Sequence, residues 1–167
     1  MVSVAAAVAV VAEAPAPVGE VEMRTHNFLS HLDHEQIVRA IKEVEAKTSG
    51  EVRVYVQRGK FQEDALPRAQ KKFLELGMQK TRERNAVLIF VAPREQKFAV
   101  IGDEGIHQKC GEQFWQELVT KMRGHFQQEE FTDALVEAIE STGQLLARYF
   151  PKSSDEGNEL TDDIVEE

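Results

Sequence analysis

The chain has one cysteine, Cys110, one tryptophan, Trp115, and two tyrosines among 167 residues. A single thiol permits no intrachain disulfide, so the fold does not depend on an oxidising compartment. No apolar run approaches the roughly 20 residues of a membrane span. A basic surplus is missing as well. The net charge of −9 is concentrated at the ends: residues 153–167 carry seven acids, residues 1–22 carry three, and neither stretch has a base. Without those ten acids, residues 23–152 stand at +1, which argues against the strongly basic patch that nucleic-acid binding needs. The local cluster Lys80, Arg82, Arg84 is interrupted by Glu83, the cluster Arg68, Lys71, Lys72 is flanked by Asp64 and Glu75, and both read as solvated faces.

Catalytic motifs are also scarce. A cysteine phosphatase needs an arginine six residues after its nucleophile, and the residue six after Cys110 is Gln116. There is no Gly-x-Ser-x-Gly elbow, no glycine-rich phosphate loop with lysine and no His-Glu-x-x-His pair, which excludes serine hydrolases of that type, P-loop enzymes and zincins. Asp162-Asp163 lacks the Asp-x-Asp spacing and preceding apolar strand of an aspartyl-phosphate enzyme.

What is present is an alternation of helix and strand signals over residues 23–152. Asp33 with Gln36 has capping-box spacing, and Ile37, Ile41 and Val44 recur on one helical face, predicting a helix over 34–48. Glu51 to Gln57 alternates with period two and predicts a strand. Leu66, Ala69, Phe73 and Leu74 predict a second helix over 64–77, with Pro67 in its first turn. Ala86 to Val91 is a short continuous apolar run, as expected of a strand covered on both faces. Phe98, Val100 and Ile101 resume after Pro93 and three polar residues, which predicts a hairpin. Two further helices follow, one carrying Phe114, Trp115, Leu118, Val119 and Met122, the other carrying Phe131, Leu135, Ala138, Ile139 and Leu146 and ending before Pro151. The order α-β-α-β-β-α-α predicts a three-layer α/β/α sandwich with a small mixed sheet.

The ends read differently. Val2 to Ala12 is an Ala/Val run with no preceding base, followed by Ala12-Glu13-Ala14. Residues 1–22 are therefore expected to be a disordered extension outside the fold, with Met23 as an alternative start and a signal-like segment as the other reading. The first two place the domain in the cytoplasm, and the third exports it. Residues 153–167 are expected to be a disordered acidic tail, with Leu160, Ile164 and Val165 as the makings of a docking peptide for a protein partner.

The candidate site lies where the second hairpin strand runs into Gly102-Asp103-Glu104-Gly105, since ligands in α/β sheets bind at strand ends. Asp103 and Glu104 with the Asn85 side chain suit a hard divalent cation, Ca²⁺ or Mg²⁺. The same acids equally suit the amino end of the helix that follows. His107 and Cys110 have the spacing of half a zinc site with no second half nearby in sequence, and His31, His34 and Glu35 surround the first helix cap.

Ser49-Gly50-Glu51-Val52-Arg53-Val54, Asn85-Ala86-Val87-Leu88-Ile89, Gly102-Asp103-Glu104-Gly105-Ile106-His107 and Phe114-Trp115 together resemble the TPM domain family, over about residues 30–150. The family is named for thylakoid-lumen and photosystem II repair proteins and a receptor modulator, and this chain is most similar to its small soluble bacterial branch. The resemblance implies an α/β/α sandwich with a mixed sheet and, from some members, divalent-cation binding or acid phosphatase activity. Under a metal-dependent phosphatase reading, Arg53 or Arg84 would neutralise phosphate and His107 would act as acid or base. The alternative is a non-enzymatic interaction module acting in envelope or stress maintenance. The chain differs from many members in having two acids between the loop glycines, where they carry a single, often aromatic, residue.

Overall fold

A computed structural model describes residues 4–10, 26–152 and 164–166. Its elements in chain order are β1 (Val4–Val10), α1 (His34–Glu45), β2 (Glu51–Val56), α2 (Ala65–Glu75), β3 (Ala86–Ala92), β4 (Lys97–Asp103), α3 (Glu104–Gln127), α4 (Phe131–Tyr149) and β5 (Val165–Glu166). A helical turn over 26–30 precedes α1. The sheet order is β1-β4-β3-β2-β5. β2 and β3 are parallel across α2, β3 and β4 form an antiparallel hairpin, and β1 lies antiparallel to β4. The mixed sheet and the order from α1 to α4 are those the sequence predicts.

The layers follow from side-chain alternation. Val52, Val54 and Val56 face the same side as Val87, Ile89 and Val91, where α1, α3 and α4 close over them with Ile37, Ile41, Trp115, Met122, Leu135 and Ile139. Tyr55, Leu88, Phe90 and Ile101 face the other side, where α2 supplies Ala69 and Phe73 and the following turn supplies Met78. Every residue of β3 is buried. Burying each large apolar side chain there contributes about 1.5–3 kcal/mol. The stripe predicted for α2 holds except at Leu74, which is 40% exposed, while Lys72 is buried with its ammonium over the Tyr55 ring.

Both chain ends depart from expectation. Residues 1–22 were expected outside the fold, yet Val4–Val10 pairs residue for residue with β4 from Asp103 to Lys97. The signal in the sequence was weak because alanine is depleted in strands and the run lacks alternation. In the acidic tail, Val165 and Glu166 pair in parallel with Tyr55 and Val56. The remainder of the 1–22 and 153–167 expectations, including the Ala12-Glu13-Ala14 site and Leu160, lies outside the described residues. No helix among the described residues is long and apolar enough to cross a membrane.

Candidate functional site

β4 runs antiparallel to β2 and β3, so its last residue comes to lie beside their first residues; Gly102 pairs with Val87, and Ala86 pairs with Glu51. The Gly102–Gly105 segment therefore sits at the amino ends of the parallel pair. The carboxyl ends, where α/β sheets usually bind ligands, are at the opposite side of the sheet.

No loop separates β4 from α3. Asp103 is the N-cap, its Oδ1 accepting from the Glu104 backbone N–H at 2.8 Å. The same carboxylate takes two bonds from Arg84, Nε to Oδ2 at 2.6 Å and Nη2 to Oδ1 at 2.7 Å. Asp103 is 0% exposed. This hydrogen bond raises the Arg84 pKa above its usual value. Arg84 holds a left-handed backbone, φ 53°, which is uncommon for a residue with a side chain.

The two flanking glycines are steric rather than flexible, and neither has a positive φ. A Cβ on Gly105 would stand 2.0 Å from the Glu83 carbonyl oxygen, so the first turn of α3 lies directly against the 83–84 backbone. A Cβ on Gly102 would stand 2.2 Å from Cζ2 of Trp115. Trp115 in turn donates its Nε1–H to His107 Nδ1 at 3.1 Å, which fixes that ring nitrogen as an acceptor.

Asn85 points elsewhere. Its backbone N–H donates to Thr81 Oγ1 at 3.2 Å, and its Nδ2 donates to Ser49 Oγ at 3.1 Å and to Glu83 Oε2 at 3.4 Å. Ser49 Oγ donates to the same Glu83 oxygen at 2.5 Å. The Asn85 side chain is 1% exposed, and its Oδ1 is buried without a hydrogen-bond partner among the described residues. Such an orphan costs about 1–3 kcal/mol unless something satisfies it. The three cation candidates are thus split: Asp103 faces Arg84, Asn85 faces Ser49 and Glu83, and Glu104 accepts from Gln108 Nε2 at 3.2 Å on the exposed surface of α3. No cluster of three or more His, Cys, Asp or Glu residues suited to a metal occurs among the described residues. Sequence reasoning missed Ser49 and Glu83 as neighbours of Asn85. Their positions at the ends of two adjacent connections were the available signal.

The other candidates are engaged differently. Arg53, a phosphate-neutralising candidate from the sequence, is 7% exposed because its face of β2 is covered as well. Burial lowers its pKa, while the nearby Glu45 and Glu51 partly restore it. Cys110 is half-buried, and desolvation pushes its thiol up to about 11. His31 Nδ1 bonds the Asn27 carbonyl oxygen at 2.7 Å. His34 Nε2 lies 3.6 Å from Glu166 Oε1.

At the opposite end of the sheet is a cavity of about 530 Å³ lined by Phe28, Phe98, Phe131, Ala92 and Gln128 among others. His125, next in sequence to the lining residue Phe126, bridges Glu130, Nδ1 to Oε2 at 2.7 Å, and Glu137 through Nε2. Those two carboxylates raise the His125 pKa, Glu130 first.

Three comparisons bear on descent. The TPM domain matches residues 23–145. No curated protein matches. Among solved structures, the NMR structure of BA42 protein from the psychrophilic bacterium Bizionia argentinensis is 36% identical, with a TM-score of 0.74, over 82% of this chain and 96% of that one.

Proposed function

The chain belongs to the TPM domain family, and from that premise we propose that it is a binding domain for a hard divalent cation, Ca²⁺ or Mg²⁺, held by Asn85, Glu83 and Ser49. The single observation that supports this is the Asn85 carbonyl oxygen, buried and unpartnered, on an amide whose Nδ2 contacts the Ser49 hydroxyl and the Glu83 carboxylate, so that a half-turn of the amide presents Oδ1 to the same two groups. Such oxygens are the ligands these cations take. Asn85 belongs to the original candidate set; Asp103 and Glu104 become supporting residues. Asp103 has both oxygens committed to Arg84, and the pair fixes the turn that carries Glu83 and Asn85.

The reading ends at binding. Arg84 is occupied by Asp103, Arg53 is buried, and His107 has one ring nitrogen committed to Trp115. A phosphoryl group would have to displace these contacts, so hydrolysis forms no part of the proposal.

The test is thermal melting of the protein with Ca²⁺ and Mg²⁺ in turn. Binding to the folded state at 100 times Kd adds about 2.7 kcal/mol, a rise of about 5 °C or more. Glu83→Gln and Asn85→Ala should abolish that rise, and Asp103→Asn should lower the baseline Tm yet keep it. A response lost in Asp103→Asn and kept in Glu83→Gln would move the site to Asp103 and Glu104. No response to either cation would sink the reading.

A second reading, a protein-interaction module, is supported by a different observation: a segment of the acidic tail lies on the edge of the sheet as an added strand.

A further inference from the structure

The cavity of about 530 Å³ lies at the carboxyl end of β3, bordered by the β3–β4 hairpin, the helical turn over 26–30 and the junction of α3 with α4. Its volume falls within the roughly 300–1,000 Å³ of small-ligand pockets, and this end of the parallel pair is where α/β sheets usually hold a ligand. Four elements each contribute one phenylalanine to its lining: Phe28, Phe98, Phe126 and Phe131. The rings make a continuous chain of contacts. Centroids are 4.9 Å apart from Phe98 to Phe126, 6.3 Å from Phe126 to Phe28 and 4.9 Å from Phe28 to Phe131, with planes inclined at 63°, 52° and 51°. Rings inclined in this way border the space from several directions instead of forming one flat plate.

The lining contains two charged residues, Lys97 and Glu129. Lys97 pairs with Ala92 and alternates with Phe98, so its side chain leaves on the α2 face with Ala92 and Ala99, and the phenylalanines keep the other face. Glu129 is at the carboxyl end of α3. Its N–H donates to the Phe126 carbonyl oxygen at 3.1 Å, and the next N–H, of Glu130, donates to the His125 carbonyl oxygen at 2.9 Å. These two bonds make a Schellman cap, whose left-handed position is usually glycine. Glu129 holds that position at φ 60°, with an exposed carboxylate at the negative end of the helix dipole. The neighbouring Glu130 is taken by His125, whereas Glu129 has no ion pair among the described residues. Backbone strain and helix dipole both work against an acid here, which points to a use for the charge outside the fold's own stability. Gln96 in the hairpin is also left-handed, φ 50°, so two of the three non-glycine residues with positive φ among the described residues border this one cavity.

We propose that the cavity binds a small organic monocation with an aromatic body, its ring among the phenylalanines and its ammonium at Glu129 and the carboxyl end of α3. Ring quadrupoles, carboxylate and helix dipole all favour positive charge at that place. The carboxamides of Asn27 and Gln128, also in the lining, add acceptor oxygens for ammonium N–H groups. This site is separate from the one at Asn85, which is at the other end of the sheet.

The test uses phenethylamine, phenethyl alcohol and hydrocinnamate, which share a ring and tether and differ in charge. Each is titrated at neutral pH into the ¹⁵N-labelled full-length protein, and binding is read from the backbone amide shifts. Saturable shifts at Phe98, Phe126 and Phe131 are expected with the amine, and the alcohol and carboxylate should bind at least about tenfold more weakly. Glu129→Gln should bring the amine down to the level of the alcohol. Glu129→Gly should do the same while raising Tm, because glycine fits the left-handed position without strain. A purely structural role for Glu129 would not make stability and binding move in opposite directions. Equal binding of amine and carboxylate, no saturation by any of the three, or an amine affinity unchanged in Glu129→Gln overturns the proposal. So do amine shifts spread over the acidic surface instead of the cavity. Divalent-cation binding is read at Glu83 and Asn85 in the same spectra, so either site can fail alone.

Discussion

Arg84 and Asp103, nineteen positions apart, form a two-pronged ion pair in which the carboxylate is fully buried and the guanidinium is one-third exposed. The asymmetry determines what each substitution does. Asp103→Asn leaves an arginine that can turn to water but removes the charge from the helix cap, and should cost about 2 kcal/mol by urea unfolding. Arg84→Ala strands the buried carboxylate and should cost more, about 3–5 kcal/mol. If Arg84→Ala proves milder than Asp103→Asn, the pair is not what holds this turn.

The glycine contacts predict different outcomes for two similar changes. In Gly105→Ala the new methyl meets backbone at Glu83 and Arg84, which cannot move without shifting the Asn85 turn. In Gly102→Ala it meets the Trp115 ring, which can be displaced. Both overpack, at a typical cost of about 1–3 kcal/mol, with Gly105→Ala at or above the upper end. Only Gly102→Ala should strongly red-shift the emission of the sole tryptophan.

His125 makes a pH dependence with a definite sign. Its folded pKa is raised by Glu130 and Glu137 above the ordinary value of 6.5. Its contribution is therefore complete below pH 6.5 and is lost as pH rises through the raised folded value. Its side chain is 27% exposed and those of its partners 40% and 41%, so screening limits the effect to about 1 kcal/mol at most. The Tm difference between wild type and His125→Gln should shrink from pH 6 to pH 9. A difference that grows over that range would refute the assignment.

Cys110, with its thiol pushed up to about 11 by burial, should react with iodoacetamide far more slowly in the folded protein than in urea, because the thiolate is the nucleophile. The folded-state rate should continue to climb above pH 9. Equal rates in both states at pH 8 would contradict the burial.

The strands and helices of the body were legible because their cause is local. Val52, Val54 and Val56 alternate, Ile37, Ile41 and Val44 recur at helical spacing, and Asp33 does accept from the Gln36 N–H at 3.0 Å. The site was only half legible. That Asp103 and Glu104 stand at the end of β4 followed from sequence, but which end of the parallel pair this was depended on hairpin direction; an antiparallel return necessarily carries Asp103 to the amino ends of β2 and β3. The pairing of Asp103 with Arg84 rather than with Asn85 depends on a left-handed residue and on the close approach of Gly105, and no spacing rule contains either. β1 and β5 were missed because edge pairing is decided by the partner strand, and neither segment carries a pattern of its own.

The register of β1 also has a kinetic side. Val4 meets Asp103 and Val10 meets Lys97, so closing that ladder means joining segments nearly a hundred residues apart, whereas the β3–β4 hairpin closes across Pro93–Gln96. Hairpins form in about 1–10 μs, while long loops pay closure entropy before any contact rewards it. On that ground the sheet is expected to assemble outward from β3, with β1 joining a template already made, so that shortening β1 should speed unfolding while leaving the folding rate nearly unchanged.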